Sequence, residues 1–318
     1  MRRLPAIVAV TALAGIGLVG CSASTGAAGS ACTAPTADPR AAEAVSVSGE
    51  VGSQPDVQVR SPFLPSARSV ETVVAGDGER ITQPDQLVLL DLTVYNGVTG
   101  ERIVGSRYDG NLANAQPLSG WDQTFPDFSS AMLCATEGSR VVVSLPYDSV
   151  GPQAAQGLQI PEGGSAVVVA DVERVYLPAA DGADQFTAGF GLPTVVRATN
   201  GQPGVTIPDG EAPTEVSVQT LKKGDGPELT ADATARVHVL GVAWNDREQF
   251  ATTWGQAPIA APPSQMPEEI GAALEGQTVG SQVLVVVPAD QTAADQQAFR
   301  APADTALVYV FDIIGVDD

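Results

Sequence analysis

The sequence holds little raw material for acid–base or nucleophilic catalysis. Its 318 residues include one histidine, His238, and three cysteines, Cys21, Cys32 and Cys134. A Ser-His-Asp or Cys-His arrangement needs an imidazole, and the single one lies in a strand-like run, VHVLGVAWNDREQFATTWG, from Val237 to Gly255. So few cysteines and one histidine do not assemble a structural zinc site, and no metal or cofactor is expected. Asn245–Glu248 lacks the ligand spacing of a Ca2+ loop and reads as a solvated turn. The GDG triplets at 76–78 and 224–226 are tight turns rather than phosphate loops, because no Gly-Lys-Ser/Thr follows them. What remains is apolar. Aromatic residues are only 5% of the chain, yet Trp244, Phe250 and Trp254 share the one stretch. That stretch is either the wall of an apolar site or a strand with its turn.

Composition narrows the partners. A formal net charge of −21 with only 16 Lys and Arg, and no basic stripe, excludes a nucleic-acid surface, since phosphate binding requires clustered cations. The N-terminus has a basic Met1-Arg2-Arg3, an apolar run from Pro5 to Val19 too short for a comfortable membrane span, and Leu18-Val19-Gly20-Cys21. This resembles a bacterial lipobox, so residues 1–21 are expected to be a lipoprotein signal with Cys21 as the lipidated residue. Acyl chains there would anchor a soluble globe to the membrane. Outside the cytoplasm the two remaining cysteines are expected to pair as Cys32–Cys134.

The elements that position these residues are short strands. Residues 22–45 are rich in Ala, Ser, Thr, Gly and Pro and read as a flexible tether. From there β-branched runs bounded by Gly, Pro and Asp dominate. The best helical pattern is Pro126–Gly138, with Phe128, Met132 and Cys134 on one side and Gly138 as its C-cap. Pro55–Gly78 aligns without a gap to Pro203–Gly226. Ala135–Asp148 matches Gln277–Asp290, and Val167–Val172 matches Val308–Ile313. The chain therefore reads as two copies of one α+β unit, each a half-wound antiparallel sheet packed on one short helix. Residues 178–189 read as the linker.

Those strings carry a family resemblance. GDG, VHVLGVAWNDREQFATTW, PEEIGAALEGQTVGSQVLVVVPAD and TALVYVFDI follow in the order of the FKBP-type peptidyl-prolyl isomerases, whose members read Val-His-Tyr-x-Gly, Phe-Asp-Ser-Ser, Ile-x-Gly-Trp, Val-Gly and Leu-Val-Phe. LLDLTVYNGVTGERIVGS, FPDFSSAMLCATEGSRVVVSLPYDSVG, LQIPEGG and SAVVVADV follow the same order earlier, more loosely. The resemblance implies two FKBP-like domains, at 46–177 and 190–318. Together with the lipobox, the layout is similar to extracytoplasmic FKBP-type lipoproteins of high-GC Gram-positive bacteria.

The resemblance also implies a chemistry. Rotation about an X-Pro bond faces a barrier of about 18–20 kcal/mol, because twisting the amide costs its resonance. A desolvated aromatic pocket lowers it by binding the twisted amide better than the planar one. In the family a Trp floor, Tyr and Phe walls, an Asp and a Tyr hydroxyl do this. Here the first copy places Leu92 for the strand Tyr, Ile103 and Val104 for Phe-Asp, Phe128 for the Trp, Val150 for the loop Tyr and Val168 for the final-strand Phe, and it keeps Ile160. The second places Val239, Phe250, Ala251 and Ile270 at the corresponding positions, lacks the Ala-Tyr-Gly loop, and sets Tyr309 near the final-strand Phe. Phe250, Tyr309, Phe128 and Ile160 are the catalytic candidates. His238 is expected to be a solvated strand residue facing away from Val239, with Trp244 and Trp254 capping a sheet edge. Such pockets stay apolar but lose their polar groups. The expected protein is a monomeric, membrane-anchored isomerase with weakened pockets, acting on proline-containing segments of exported polypeptides. The alternative is a non-catalytic binding module or holdase using the same grooves.

Overall fold

A computed structural model describes residues 37–187 and 189–317. Cys21, Cys32, the signal sequence and most of the tether lie outside the described residues. In the first part of the chain come α1 (Pro39–Ala44), β1 (Val45–Ser48), β2 (Asp56–Val59), β3 (Ser69–Val74), β4 (Leu87–Asn96), β5 (Arg102–Gly105) and β6 (Gln116–Pro117). They are followed by α2 (Phe128–Met132), β7 (Arg140–Pro146), α3 (Tyr147–Val150), α4 (Pro152–Gly157) and β8 (Ser165–Val175). Then come β9 (Ala183–Asp184), β10 (Thr194–Arg197), β11 (Pro203–Thr206), β12 (Ser217–Lys223), β13 (Thr234–Ala243), β14 (Gln249–Thr252) and β15 (Ile259–Ala261). The last elements are α5 (Glu268–Leu274), β16 (Gln282–Val287), α6 (Ala293–Phe299) and β17 (Leu307–Asp317).

The sequence repeat is also a topological one. One antiparallel sheet runs β3-β7-β8-β4-β5, with β6 also on β4. The other runs β14-β13-β17-β16-β12-β9, with β15 also on β13. Read in the same direction, β12-β16-β17-β13-β14 reproduces the first order strand for strand. The GDG triplets have a packing reason. A Cβ on Gly76 would stand 2.1 Å from the Glu137 carbonyl oxygen, and one on Gly224 2.0 Å from that of Val279. Each triplet therefore lies directly against its own TEG or TVG turn.

Both faces of each sheet are covered, which explains why β4 and β8 read as nearly unbroken apolar runs rather than alternating ones. Leu90, Leu92 and Val94 of β4 face the helical layer, while Tyr95 faces a second layer. That second layer is the β1–β2 hairpin, whose Val45, Val47, Val57 and Val59 pack on Val142, Val167 and Val169. The β10–β11 hairpin does the same in the second half, packing Val195 and Val205 on Leu284, Val286 and Val308. The tether expected to extend to residue 45 therefore ends sooner: Asp38 caps α1, and Ala41 and Val45 are buried.

The helical layer departs from the expectation of one helix per copy. Helix α2 ends at Met132 rather than reaching Gly138. Leu133 is extended, and Cys134 is left-handed with φ of 73°. The backbone leaves the helix because Cys134 N–H donates to the Ile81 carbonyl at 2.9 Å, and Ile81 N–H to that of Ala135 at 2.9 Å. Gly138 serves the turn into β7 and not a helix cap. Cys134 is disulfide-bonded. Its expected partner, Cys32, lies outside the described residues. Helices α3 and α4 in the first half and α6 in the second add to the layer.

Candidate functional site

An apolar groove lies in the second half. Strand β13 contributes Val239 and β14 contributes Phe250, Ala251 and Thr252. Ile259 and Ala261 come from β15, Met266 and Pro267 from the turn before α5, and Ala298, Phe299 and Arg300 from the end of α6. Its volume is about 480 Å³. Gly241 makes the wall possible: a Cβ there would lie 2.7 Å from the Phe250 ring, so the glycine lets that ring lie against β13. Beneath the groove, Tyr309 and Ile270 are fully buried. Phe250 meets the Tyr309 ring edge-on at 5.6 Å, and Phe299 packs on it at 5.2 Å. Four of the five residues carried over onto the second copy thus surround one cavity or its floor, and Ile270 lies in the core just below it.

The first half is different. Leu92, Phe128, Val150 and Val168 are buried in one closed core with Ile160. Phe128 has no solvent-facing surface and packs on Phe125 at 6.0 Å. Ile103 is half-buried against that core, whereas Val104 points outward and is 49% exposed. A register irregularity between β4 and β5 separates these two neighbours. The residues are brought together, but as packing. Val104 is not part of the set, and Phe128 and Ile160 are buried core residues.

Two residues are missing from the sequence reading. Trp121 sits on a short 3-10 turn, Leu118–Gln123, and packs on Phe128 at 6.5 Å. Its signal was present, since Leu118-Ser119-Gly120-Trp121 fits the Ile-x-Gly-Trp pattern that was assigned to Phe128. It borders a polar cleft shared with Asp91, Arg107 and Asn111. Phe299 is the other. The segment that lacks the Ala-Tyr-Gly loop forms α6 instead and returns an aromatic ring to the groove.

His238 is a correction of another kind. It is buried, not solvated, and stacks on Trp254 at 4.7 Å with Nδ1 3.0 Å from Thr253 Oγ1. It does face away from Val239, as strand alternation requires. Burial lowers its pKa to about 4. It therefore stays neutral at ordinary pH, on the face opposite the groove. Trp244 is buried too, its Nε1 donating to the Gly210 carbonyl at 3.2 Å. Among the described residues no group of three or more His, Cys, Asp or Glu is placed to hold a metal ion.

No model of a known protein family matches the chain. A curated protein does: an FK506-binding protein of Streptomyces anulatus, 29% identical over 127 residues, or 36% of this chain and 97% of that protein. Over that length the chain is similar to an FK506-binding protein. Solved structures similar to it include the three FKBP domains of wheat FKBP73, 14% identical, covering 79% of this chain and 95% of that one with a TM-score of 0.34. Another is a putative peptidyl-prolyl cis-trans isomerase, FKBP12, of Mycobacterium tuberculosis. It is 24% identical over 35% of this chain and 91% of its own, with a TM-score of 0.27. The resemblance to an FK506-binding protein therefore supports a reading as a peptidyl-prolyl isomerase, by likeness to that protein alone.

Proposed function

We propose that the protein is an extracytoplasmic FKBP-type peptidyl-prolyl isomerase, tandem in architecture, in which the second half holds the working groove and the first half is a closed, degenerate copy. The observation that carries this reading is the cavity bounded by Phe250, Ala251, Met266 and Phe299 over a Tyr309 floor. An apolar groove of this kind needs no nucleophile or cofactor to favour a twisted prolyl amide. Anchored through Cys21, the protein would act as a monomer on proline-containing segments of exported polypeptides.

The test is isomerisation of a blocked Leu-Pro tetrapeptide by the full-length protein, followed by NMR exchange. Phe250→Ala should lower the rate at least 10-fold, while Phe128→Ala should act through stability alone. A large buried aromatic replaced by alanine costs about 3–5 kcal/mol. A protein that neither isomerises nor binds the peptide sinks the proposal.

A binding role without catalysis is the second reading. Ala251 and Ile270 stand where the family has Asp and Trp. Phe186 and Phe190 are fully exposed, as a surface for unfolded clients would have them. Suppressed aggregation of an unfolded client without rate acceleration would favour it.

A further inference from the structure

The floor of the groove concentrates unpartnered polar atoms: three of those found among the described residues lie here, on two side chains. Tyr309 Oη and both carboxylate oxygens of Asp295 are buried, and none has a hydrogen-bond partner among the described residues. Both side chains are fully enclosed. They interact electrostatically with one another without closing a hydrogen bond of ordinary geometry. Buried polar groups are nearly always satisfied, because leaving one unmade costs about 1–3 kcal/mol. Three orphaned atoms at one place therefore ask for a reason. Their position supplies one. Asp295 lies one helical turn before Phe299 on α6, so both face the sheet. Phe250 and Phe299, which line the groove, both pack on Tyr309, as does the buried Phe311 ring.

We propose that Tyr309 and Asp295 form the polar device of this groove, with the Tyr309 hydroxyl as the hydrogen-bond donor to the prolyl amide and Asp295 as the residue that positions it. The inference rests on the isomerase reading above. It assigns to the floor and α6 the role left vacant by Ala251 on the flap. Neither Tyr309 nor Asp295 lines the groove itself, so a bound amide reaches the hydroxyl only by parting the Phe250 and Phe299 rings. In a planar amide the nitrogen lone pair is delocalised and accepts no hydrogen bond. On twisting, resonance is lost and the nitrogen becomes an acceptor. A donor aimed at that nitrogen stabilises the twisted form selectively, which is the requirement for raising kcat rather than tightening the ground state. Asp295 completes the relay by donating to Tyr309 Oη, leaving the phenolic hydrogen for the ligand. Burial raises the Asp295 pKa above its ordinary value, opposed by its interaction with Tyr309.

The experiment compares full-length wild type with Tyr309→Phe, Asp295→Ala, Asp295→Asn and the Tyr309→Phe/Asp295→Ala double variant, on the same Leu-Pro peptide. Tyr309→Phe is expected to lower kcat about 10-fold with KM within twofold, and to leave the melting temperature unchanged or higher, because an unsatisfied hydroxyl is removed. Asp295→Ala should match it, and the double variant should be no worse than either. Asp295→Asn keeps a donor and should stay within threefold of wild type. Wild-type kcat in Tyr309→Phe overturns the inference. A lowered melting temperature in that variant also overturns it, because the hydroxyl would then be a structural partner. Additive losses in the double variant count against Asp295 acting through Tyr309. Inactivity of the wild type itself would remove the isomerase reading, a failure distinct from these.

Discussion

His238 shows how one residue's surroundings override its type. Histidine normally titrates near neutrality, but here its ring stacks on Trp254 and lies 6% exposed, and burial holds its pKa at about 4 against 6.5 when unfolded. Its folded pKa is depressed, so its full stability is present above pH 6.5 and is lost as pH falls through 4, where the unfolded chain takes up a proton the fold refuses. At 1.36 kcal/mol per unit, the loss approaches about 3 kcal/mol. Urea unfolding of wild type and His238→Phe at pH 7 and pH 4 isolates it. The wild type should lose about 3 kcal/mol more than the variant between the two pH values. Equal losses would mean that the imidazole is solvated after all. Phe250 lies along the groove, and the missing side chain of Gly241 leaves the space its ring occupies.

At the scale of elements, the two sheets use one register position differently. Arg140 on β7 pairs with Asp171 on β8, and Gln282 on β16 pairs with Asp312 on β17. In the first sheet this is a buried ion pair of 2.5 Å, and the Arg140 guanidinium also donates to the carbonyls of Gly49, Glu50 and Ser53 in the β1–β2 turn. In the second, Gln282 donates a neutral amide to Asp312 at 2.7 Å, and burial pushes Asp312 up to about 6. Arg140→Gln would remove the carbonyl contacts and would lack the Arg197 guanidinium that donates to Gln282 at 2.9 Å in the second sheet. Removing one partner of a buried pair costs about 3–5 kcal/mol, and chemical denaturation should show that loss together with faster hydrogen exchange in the β1–β2 turn. A loss below 1 kcal/mol would show that the pair and its carbonyl contacts contribute little. Much of this level was readable in advance. Gap-free matching strings announced two copies, and β-branched runs announced strands. The hairpin layers were not, since four-residue strands look alike whether they extend a sheet or cover one. Nor was the end of α2, because Cys134 leaves the helix for hydrogen bonds to Ile81, far away in sequence. Phe299 escaped because its motif position was absent, and only the fold of α6 brings the ring back.

At the scale of the whole molecule, the two sheets are joined by more than a linker. Tyr176, just after β8, is buried with Leu87 and with Ile314 of β17. Its hydroxyl donates to Asp317 at 2.5 Å. Arg236 on β13 pairs with the same Asp317 at 2.6 Å, lies over the Tyr176 ring at 5.5 Å, and donates to the Leu112 carbonyl at 2.8 Å. One backbone bond, Leu177 N–H to the Ile314 carbonyl, adds to it. Gly315 fits this seam, because a Cβ there would stand 2.3 Å from the Tyr176 ring. A buried aromatic held by a shared carboxylate and a guanidinium is a rigid junction, not a passive spacer. Through this junction the first half packs against β13 and β17, the strands that carry Val239 and Tyr309, and braces them. Tyr176→Ala removes the ring, its hydroxyl bond and the cation–π contact together, at a cost of about 3–5 kcal/mol. Because the loss falls on the junction rather than on either core, cooperativity should fail there. Calorimetry of the wild type should show one transition, and that of Tyr176→Ala two, with the Leu-Pro isomerisation rate falling along with the earlier one. A single transition, merely shifted, would make the two halves one indivisible core and remove the bracing argument.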